Sequence, residues 1–301
     1  MQIQAATRIK VKLGKRAHQE ERVALAFLFP SLGGFLLFYL IPFIQSFGMS
    51  FLSSPINGHF VWLKNYVSLL TNPVFGKAAL NTLIFTGIGV PALVALSLML
   101  AMALSSKLLG RKALATMFLA PLVIPVASVV LVWQVLFDNN GALNSLLANI
   151  GIARVDWLKS DWARYVIMVL FLWKNIGYDM VLFMAALAAV PTEQLESADL
   201  DGANAFQKFR HIIWPRLLPT TFFVLIMSII NSFKVFREVY LLAGAYPHDS
   251  IYTLQHFMNN MFSSLDYQKL TSAAFIMAAF IAGLVSLLFW LRKRVGRYAG
   301  A

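Results

Sequence analysis

Six apolar runs, at about 23–50, 80–104, 114–137, 164–190, 217–235 and 272–291, leave this chain few folds to choose from. Each is near the roughly 20 residues that a helix needs to cross the hydrocarbon of a bilayer. Lipid offers the backbone no hydrogen-bonding partner, so a run of this length reads as a helix that satisfies its own N–H and C=O groups. Composition agrees: 59% of the residues are hydrophobic and 13% charged. Mean hydropathy is +0.71, more than a soluble chain of 301 residues could keep off its surface. The expected fold is an all-α membrane protein of six spans. Residues 1–22 form a basic tail ahead of a single transmembrane domain at 23–301. With no cysteine, disulfides, thiolate metal sites and cysteine nucleophiles are excluded.

A formal net charge of +12 could mark nucleic-acid binding or membrane orientation. Position decides, because the basic residues gather at the edges of the apolar runs. Arg8, Lys10, Lys12, Lys15, Arg16 and Arg22 precede the first run. Lys107, Arg111 and Lys112 come after the second; Lys208, Arg210 and Arg216 lie between the fourth and fifth; Arg292, Lys293, Arg294 and Arg297 come after the last. Six spans put both ends on one side, and the positive-inside rule makes it the cytoplasmic side. The first run is too long for the apolar core of a signal peptide and reads as a retained span. Pro30, Gly33, Gly34 and Pro42 predict that it is kinked or in two parts. The opposite loops, at about 51–79, 138–163 and 236–271, carry Trp62, Tyr66, Trp157 and Trp162 where an interfacial aromatic belt would sit. In the last loop, Ile251, Leu254, Met258 and Met261 form an apolar helical stripe that packs on the bundle or docks a partner.

One polar loop looks built to be gripped: Pro191 to Pro215, the coupling loop of about 191–216 between the fourth and fifth spans. It reads as two short helices around a turn. Pro191 and the Thr192 hydroxyl suit a helix start, with Glu193 and Glu196 near the positive end of its dipole. Asp201 and Gly202 supply a break, Gly for a left-handed backbone and Asp to cap the next helix. In that second helix Phe206, Phe209 and Ile213 share one side, Lys208, Arg210 and His211 the other, and Pro215 ends it. On pattern alone this is also how an amphipathic hairpin lying on the membrane surface would read.

The order of residues goes further. Glu196, Ala198, Asp201, Gly202, Ala203, Phe206, Phe209, Ile212 and Pro215 keep a fixed register that closely resembles the EAA loop of ABC importer permeases, with Ser197 where that family usually has Ala. Phe60-Val61-Trp62-Leu63-Lys64-Asn65-Tyr66, the pair Asn81-Thr82, and Ala120-Pro121 with Pro125 beyond it resemble the sugar permeases of the maltose and glycerol-phosphate type, their first subunit in particular. The resemblance implies a six-helix permease bundle with a cytoplasmic coupling helix hairpin, in a bacterial or archaeal cytoplasmic membrane. It also implies a sister permease, two ATPase subunits that bind ATP and Mg, and an external solute-binding protein delivering a saccharide. Glu196, Ala198, Asp201, Gly202, Ala203 and Phe206 would then couple to the ATPase.

Ionisable and strongly polar residues inside spans are costly and mark function or helix-to-helix hydrogen bonds. Two clusters stand out, Trp173 to Asp179 and Ser228 to Lys234. Amides, a phenol and rings at mid-span depth suit a sugar, whose hydroxyls want donors and acceptors and whose C–H faces stack on aromatics. The resembled family lines its substrate path from these two spans. That selects Lys174, Asn175, Tyr178, Ser228, Asn231 and Ser232, although Lys174 and Asp179 could instead pair with neighbouring helices. No phosphate-binding loop and no H-E-x-x-H is present, and His18, His59, His211, His248 and His256 fall in predicted tails and loops. The expectation is a non-enzymatic subunit with no cofactor of its own and no nucleic-acid partner. Two rivals are an ion-coupled secondary transporter, for which only Asp179 offers a buried acid, and an intramembrane enzyme on lipid-linked sugars, which lacks paired acids. A phosphate cargo such as glycerol phosphate would call for more buried cations than Lys174 and Lys234. The cargo expected is therefore a neutral or weakly charged di- or oligosaccharide.

Overall fold

The computed structural model describes residues 23, 25–105 and 110–299, with side chains to 294. The basic tail at 1–22, Lys107 and the Arg297 side chain lie outside the described set. Thirteen helices account for most of the described chain: α1 (Leu25–Met49), α2 (Lys64–Leu70), α3 (Pro73–Ser105), α4 (Arg111–Val123), α5 (Val126–Phe137), α6 (Ala142–Asn149), α7 (Ala163–Ala188), α8 (Thr192–Leu200), α9 (Ala205–Lys208), α10 (Trp214–Phe233), α11 (Phe236–Ala243), α12 (Leu254–Ser263) and α13 (Tyr267–Ala299). Six stretches are long and apolar enough to cross a membrane: Leu25–Met49, Pro73–Ser105, Val126–Asn149, Ala163–Ala188, Ala205–Ala243 and Tyr267–Arg294.

Proline accounts for three of the places where the chain departs from six plain rods. The run at 114–137 is two helices, because Pro125 has no N–H and forces Ile124 into an extended backbone, φ −70° and ψ 132°. The kink expected in the first run is a π turn, Leu36–Leu40, closed by the Ile41 N–H to the Leu36 carbonyl; Pro42 comes directly after. The same device recurs at Phe209–Ile213, where the Trp214 N–H reaches the Phe209 carbonyl just before Pro215. The wider turn takes up the space a proline ring would contest with the preceding carbonyl. Pro215 therefore does not end the second hairpin helix as the sequence suggested; Ala205 to Phe233 is helical without interruption.

The bundle is centred on α3 against α7, with α4 and α10 packed on the pair. Without water to expel, van der Waals contact drives helix association in lipid, and small residues permit the closest approach. A Cβ at Gly177 on α7 would run into the Phe118 carbonyl of α4, so the backbones pass where only glycine fits. Toward the hairpin, Val94, Leu98, Ala101 and Leu104 of α3 meet Met180 and Phe183 of α7 and Leu217 and Val224 of α10. Toward the other end, Phe85 and Leu93 pack with Ile167, Leu170 and Phe171 and with Val239 of α11. α1 stays at the edge, touching α13 through Phe43 and Phe47 against Phe275.

The segments expected as external loops are ordered by polar side chains, Asn81 and Thr82 among them buried. Asn81 donates to the carbonyls of Asp249 (2.6 Å) and Tyr252 (3.0 Å) and accepts from Arg164 (3.2 Å). Thr82 accepts the Leu254 N–H at 3.0 Å, and Lys77 pairs with Asp249 at 2.5 Å. Asn65 donates to the carbonyls of Ser50 and Leu52, both at 2.9 Å, while Tyr66 meets Ser50 at 2.7 Å. Of the four residues expected in an aromatic belt, Trp62 and Trp162 are exposed; Tyr66 is tied to Ser50, and Trp157 packs inward and donates to Asn144 at 3.1 Å. Leu254, Met258 and Met261 do pack on the bundle, with Phe75, Phe257 and Ala273, while Ile251 precedes the helix and joins the other cluster.

His256 is fully buried in α12, not in an open loop. Its Nδ1 lies 2.9 Å from Thr253 Oγ1, and the ring stands edge-to-face on Phe236 at 4.7 Å. Burial lowers its pKa from 6.5 to about 4. Between those values the unfolded chain binds a proton that the folded chain refuses. Stability is full above about pH 6.5 and falls as pH drops towards 4, by at most about 3 kcal/mol. The detergent-solubilised protein should show a falling melting temperature from pH 7 to pH 4.5, and His256→Asn, which keeps an acceptor for Thr253, should flatten that slope.

Candidate functional site

Two places have a chemistry that packing alone does not account for: the hairpin at one end of the bundle and a cleft at mid-bundle.

In the hairpin, α8 ends on Asp201, and Gly202 takes φ +78°. The Gly202 N–H reaches the Asp199 carbonyl at 3.1 Å and the Ala203 N–H reaches the Ala198 carbonyl at 2.9 Å. This is a Schellman stop, in which a left-handed glycine lets the last helical carbonyls find partners. Gly202 thus holds its place for a folding reason, while Ala198 and Ala203 lend the turn only backbone groups that most residues could supply. Two details differ from the sequence expectation. Thr192 makes no cap bond, and the second helix is capped by Asn204, paired reciprocally with Gln207 in a capping box, not by Asp201. Lys208 to Asp199 at 2.5 Å and Arg216 to Gln194 at 2.9 Å brace the hairpin from outside. Glu196 is exposed, and among the described residues it has no ion pair; Leu200 and Phe206 are 90% and 67% exposed. An exposed acid and two exposed large apolar side chains on a preset hairpin are the features of a docking surface.

The cleft has a volume of about 300 Å³ and forms where two helix breaks face α7. One is Ile124–Pro125, between α4 and α5; the other is Lys234–Val235, between α10 and α11. A helix that stops inside a membrane leaves carbonyls and N–H groups without partners, tolerable where protein or a water-filled cavity receives them. Lys174, Asn175, Asn231, Lys234, Arg237 and Glu238 supply the polar lining; Leu122, Ile124, Val126, Leu170, Phe171 and Val235 supply the apolar part. Lys174 pairs with Glu238, the two side chains 20% and 6% exposed. Glu238 Oε1 takes the ammonium, and Oε2 is buried with no partner.

Of the six residues predicted for a substrate path, Lys174, Asn175 and Asn231 line this cleft. Tyr178 is half-buried elsewhere on α7. Ser228 and Ser232 are buried and spend their hydroxyls on helix contacts: Ser228 donates to Asp179 at 2.8 Å, and Ser232 donates to the Ile229 carbonyl at 2.7 Å and meets Thr86 at 2.9 Å. Asp179 likewise serves to tie α7 to α10. Sequence reasoning missed Arg237 and Glu238, because the fifth run was closed at 235 and the residues beyond it were read as loop. The signal was there: Val235, Val239 and Leu242 recur at helical spacing, and Glu238 lies four residues before Leu242 on that buried face.

A bundle of six spans with broken helices meeting at a mid-depth polar cleft, and a preset hairpin at one end, defines a membrane transport subunit. The chain belongs to the family of binding-protein-dependent transport system inner membrane components, which it matches over residues 72–298. It is 37% identical over 224 residues to the arabinooligosaccharides transport system permease protein AraP of Bacillus subtilis, covering 72% of this chain and 70% of that one. It is 31% identical over 282 residues to the probable ABC transporter permease protein YurN of the same organism, covering 90% and 96%. The fold superposes with TM-score 0.82 at 22% identity, covering 93% and 97%, on a chain of a bacterial alginate ABC transporter in complex with an alginate pentasaccharide-bound periplasmic protein.

Removing one partner of the Lys174–Glu238 pair strands a charge in the bundle. Glu238→Leu should destabilise the protein by about 3 kcal/mol, and Lys174→Met combined with Glu238→Leu should recover most of that loss. Thermal unfolding of the three variants in detergent checks both expectations.

Proposed function

We propose that this chain is one transmembrane half of an ATP-driven saccharide importer. A sister permease completes the pore, two cytoplasmic ATPase subunits bind ATP and Mg and perform the hydrolysis, and an external binding protein delivers the cargo. The chain itself is not an enzyme, and both its termini face the cytoplasm. The observation that carries this reading is the hairpin: Glu196, Leu200 and Phe206 are presented to solvent on a shape that local hydrogen bonds already hold. Family membership and the name of the Bacillus subtilis oligosaccharide permease support it. Closure of the ATPase pair would drive the hairpin, and α9 continues without a loop into the fifth span, whose break at Lys234–Val235 lines the cleft.

Ala203 is half-buried beside the Schellman turn. Ala203→Asp should insert normally yet lose uptake, because a carboxylate is forced into an apolar contact at a cost of several kcal/mol. In pull-downs from native membranes, Glu196→Ala combined with Gly202→Asp should shed the ATPase while the sister permease stays. Retention of the ATPase by that variant would refute the assignment of the hairpin. One observation favours ion coupling as a second reading: Glu238 adds a buried acid at the cleft that the sequence did not reveal. Its neutralisation by Lys174 counts against that role, and uptake that survives loss of the proton gradient but not loss of ATP rules it out.

A further inference from the structure

The cleft carries more positive charge than its internal ion pair uses. Lys174 and Glu238 cancel each other, but Lys234 and Arg237 line the same cleft, are exposed there, and among the described residues have no carboxylate partner. They sit three residues apart across the break between α10 and α11, so both cations are delivered where the backbone is itself opened. The neutral cargo expected from the sequence rested on Lys174 and Lys234 alone, with Arg237 placed in an external loop. With Lys174 internally neutralised and Arg237 brought in, the cleft holds two uncompensated cations beside a buried carboxylate oxygen, Glu238 Oε2, that lacks a donor.

Resting on the saccharide-importer reading, we propose that the cargo is an acidic oligosaccharide and that this chain holds one of its uronate units in the cleft. Arg237 and Lys234 take the sugar carboxylate, which suits the planar fork of a guanidinium supported by an ammonium. The two cations lie exposed in the cleft without a carboxylate to match them, so they set a positive potential there. An anionic cargo gains affinity from that potential that a neutral sugar cannot. A phosphate ester would compete for the same two cations, and the test separates it from a uronate.

The test uses the whole assembly with its binding protein in proteoliposomes. Uptake driven by ATP is compared for trimers of galacturonate and mannuronate, for their carboxyl-reduced neutral counterparts, for arabinotriose and for a hexose phosphate. The expected result is uptake of a uronate trimer at least tenfold above its neutral counterpart. Lys234→Gln combined with Arg237→Gln should raise the uronate KM at least tenfold, and Lys234→Arg combined with Arg237→Lys should restore most of it. Preferred uptake of arabinotriose, of a carboxyl-reduced trimer or of the phosphate overturns the acidic assignment and leaves the importer reading standing. ATP-driven uptake of none of these sugars overturns both. If the glutamine variant instead loses its sister permease on gel filtration, the two cations belong to the subunit interface and the proposal fails.

Discussion

A membrane interior supplies no hydrogen bonds, and the architecture depends on that constraint. Every span must close its own backbone ladder, so a break in a helix has to be matched by something that receives the freed groups. Here Ile124–Pro125 and Lys234–Val235 are placed against the same stretch of α7, where Lys174 projects. Packing enforces the meeting. Gly177, three residues further along α7, lets the α4 backbone come within the reach of a single methyl group, and Asp179 bonds Ser228 across to α10. The polar cleft is thus the cavity that two prolonged contacts and two interruptions leave between them.

The element types were legible in the sequence because lipid makes run length nearly decisive; the local irregularities were legible only in part. Proline flagged the kink in α1, but the run at 114–137 was read as one span although Pro125 divides it, and Pro215 was read as a terminator when a π turn carries the helix past it. The two readings cannot be separated from composition, since they differ in whether a neighbouring turn can widen. At the cleft, Lys174, Asn175 and Asn231 were visible as polar residues in apolar runs. Ser228 and Ser232 were equally visible and turned out to hold helices together, because a hydroxyl that can reach a carbonyl on its own helix or an acid across the interface does so. Arg237 and Glu238 were hidden by an error in where a span stops.

The hairpin separates two meanings that a sequence motif merges. Gly202 is required by the left-handed turn whatever docks there, whereas Glu196 has no ion pair among the described residues and Phe206 is largely exposed, leaving both free to meet another protein. Motif register alone could not divide them, because a turn and a contact both fix residues at set spacing. Preset geometry also means that docking costs less ordering entropy than a flexible loop would demand.

The ion pair in the cleft has a consequence for how the chain is made. Lys174 and Glu238 stand 64 residues apart. At about 5 to 20 residues per second, the ribosome needs roughly 3 to 13 s to deliver the second after the first. During that interval the fourth span must enter the bilayer with an unmatched ammonium, a burden of about 3 kcal/mol on the insertion scale. The apolar residues around it, from Val166 to Phe171 and from Met180 to Phe183, have to carry that burden alone. The greasiness of this helix therefore serves twice, first to carry Lys174 into the bilayer and then as the core packed against α3 and α10.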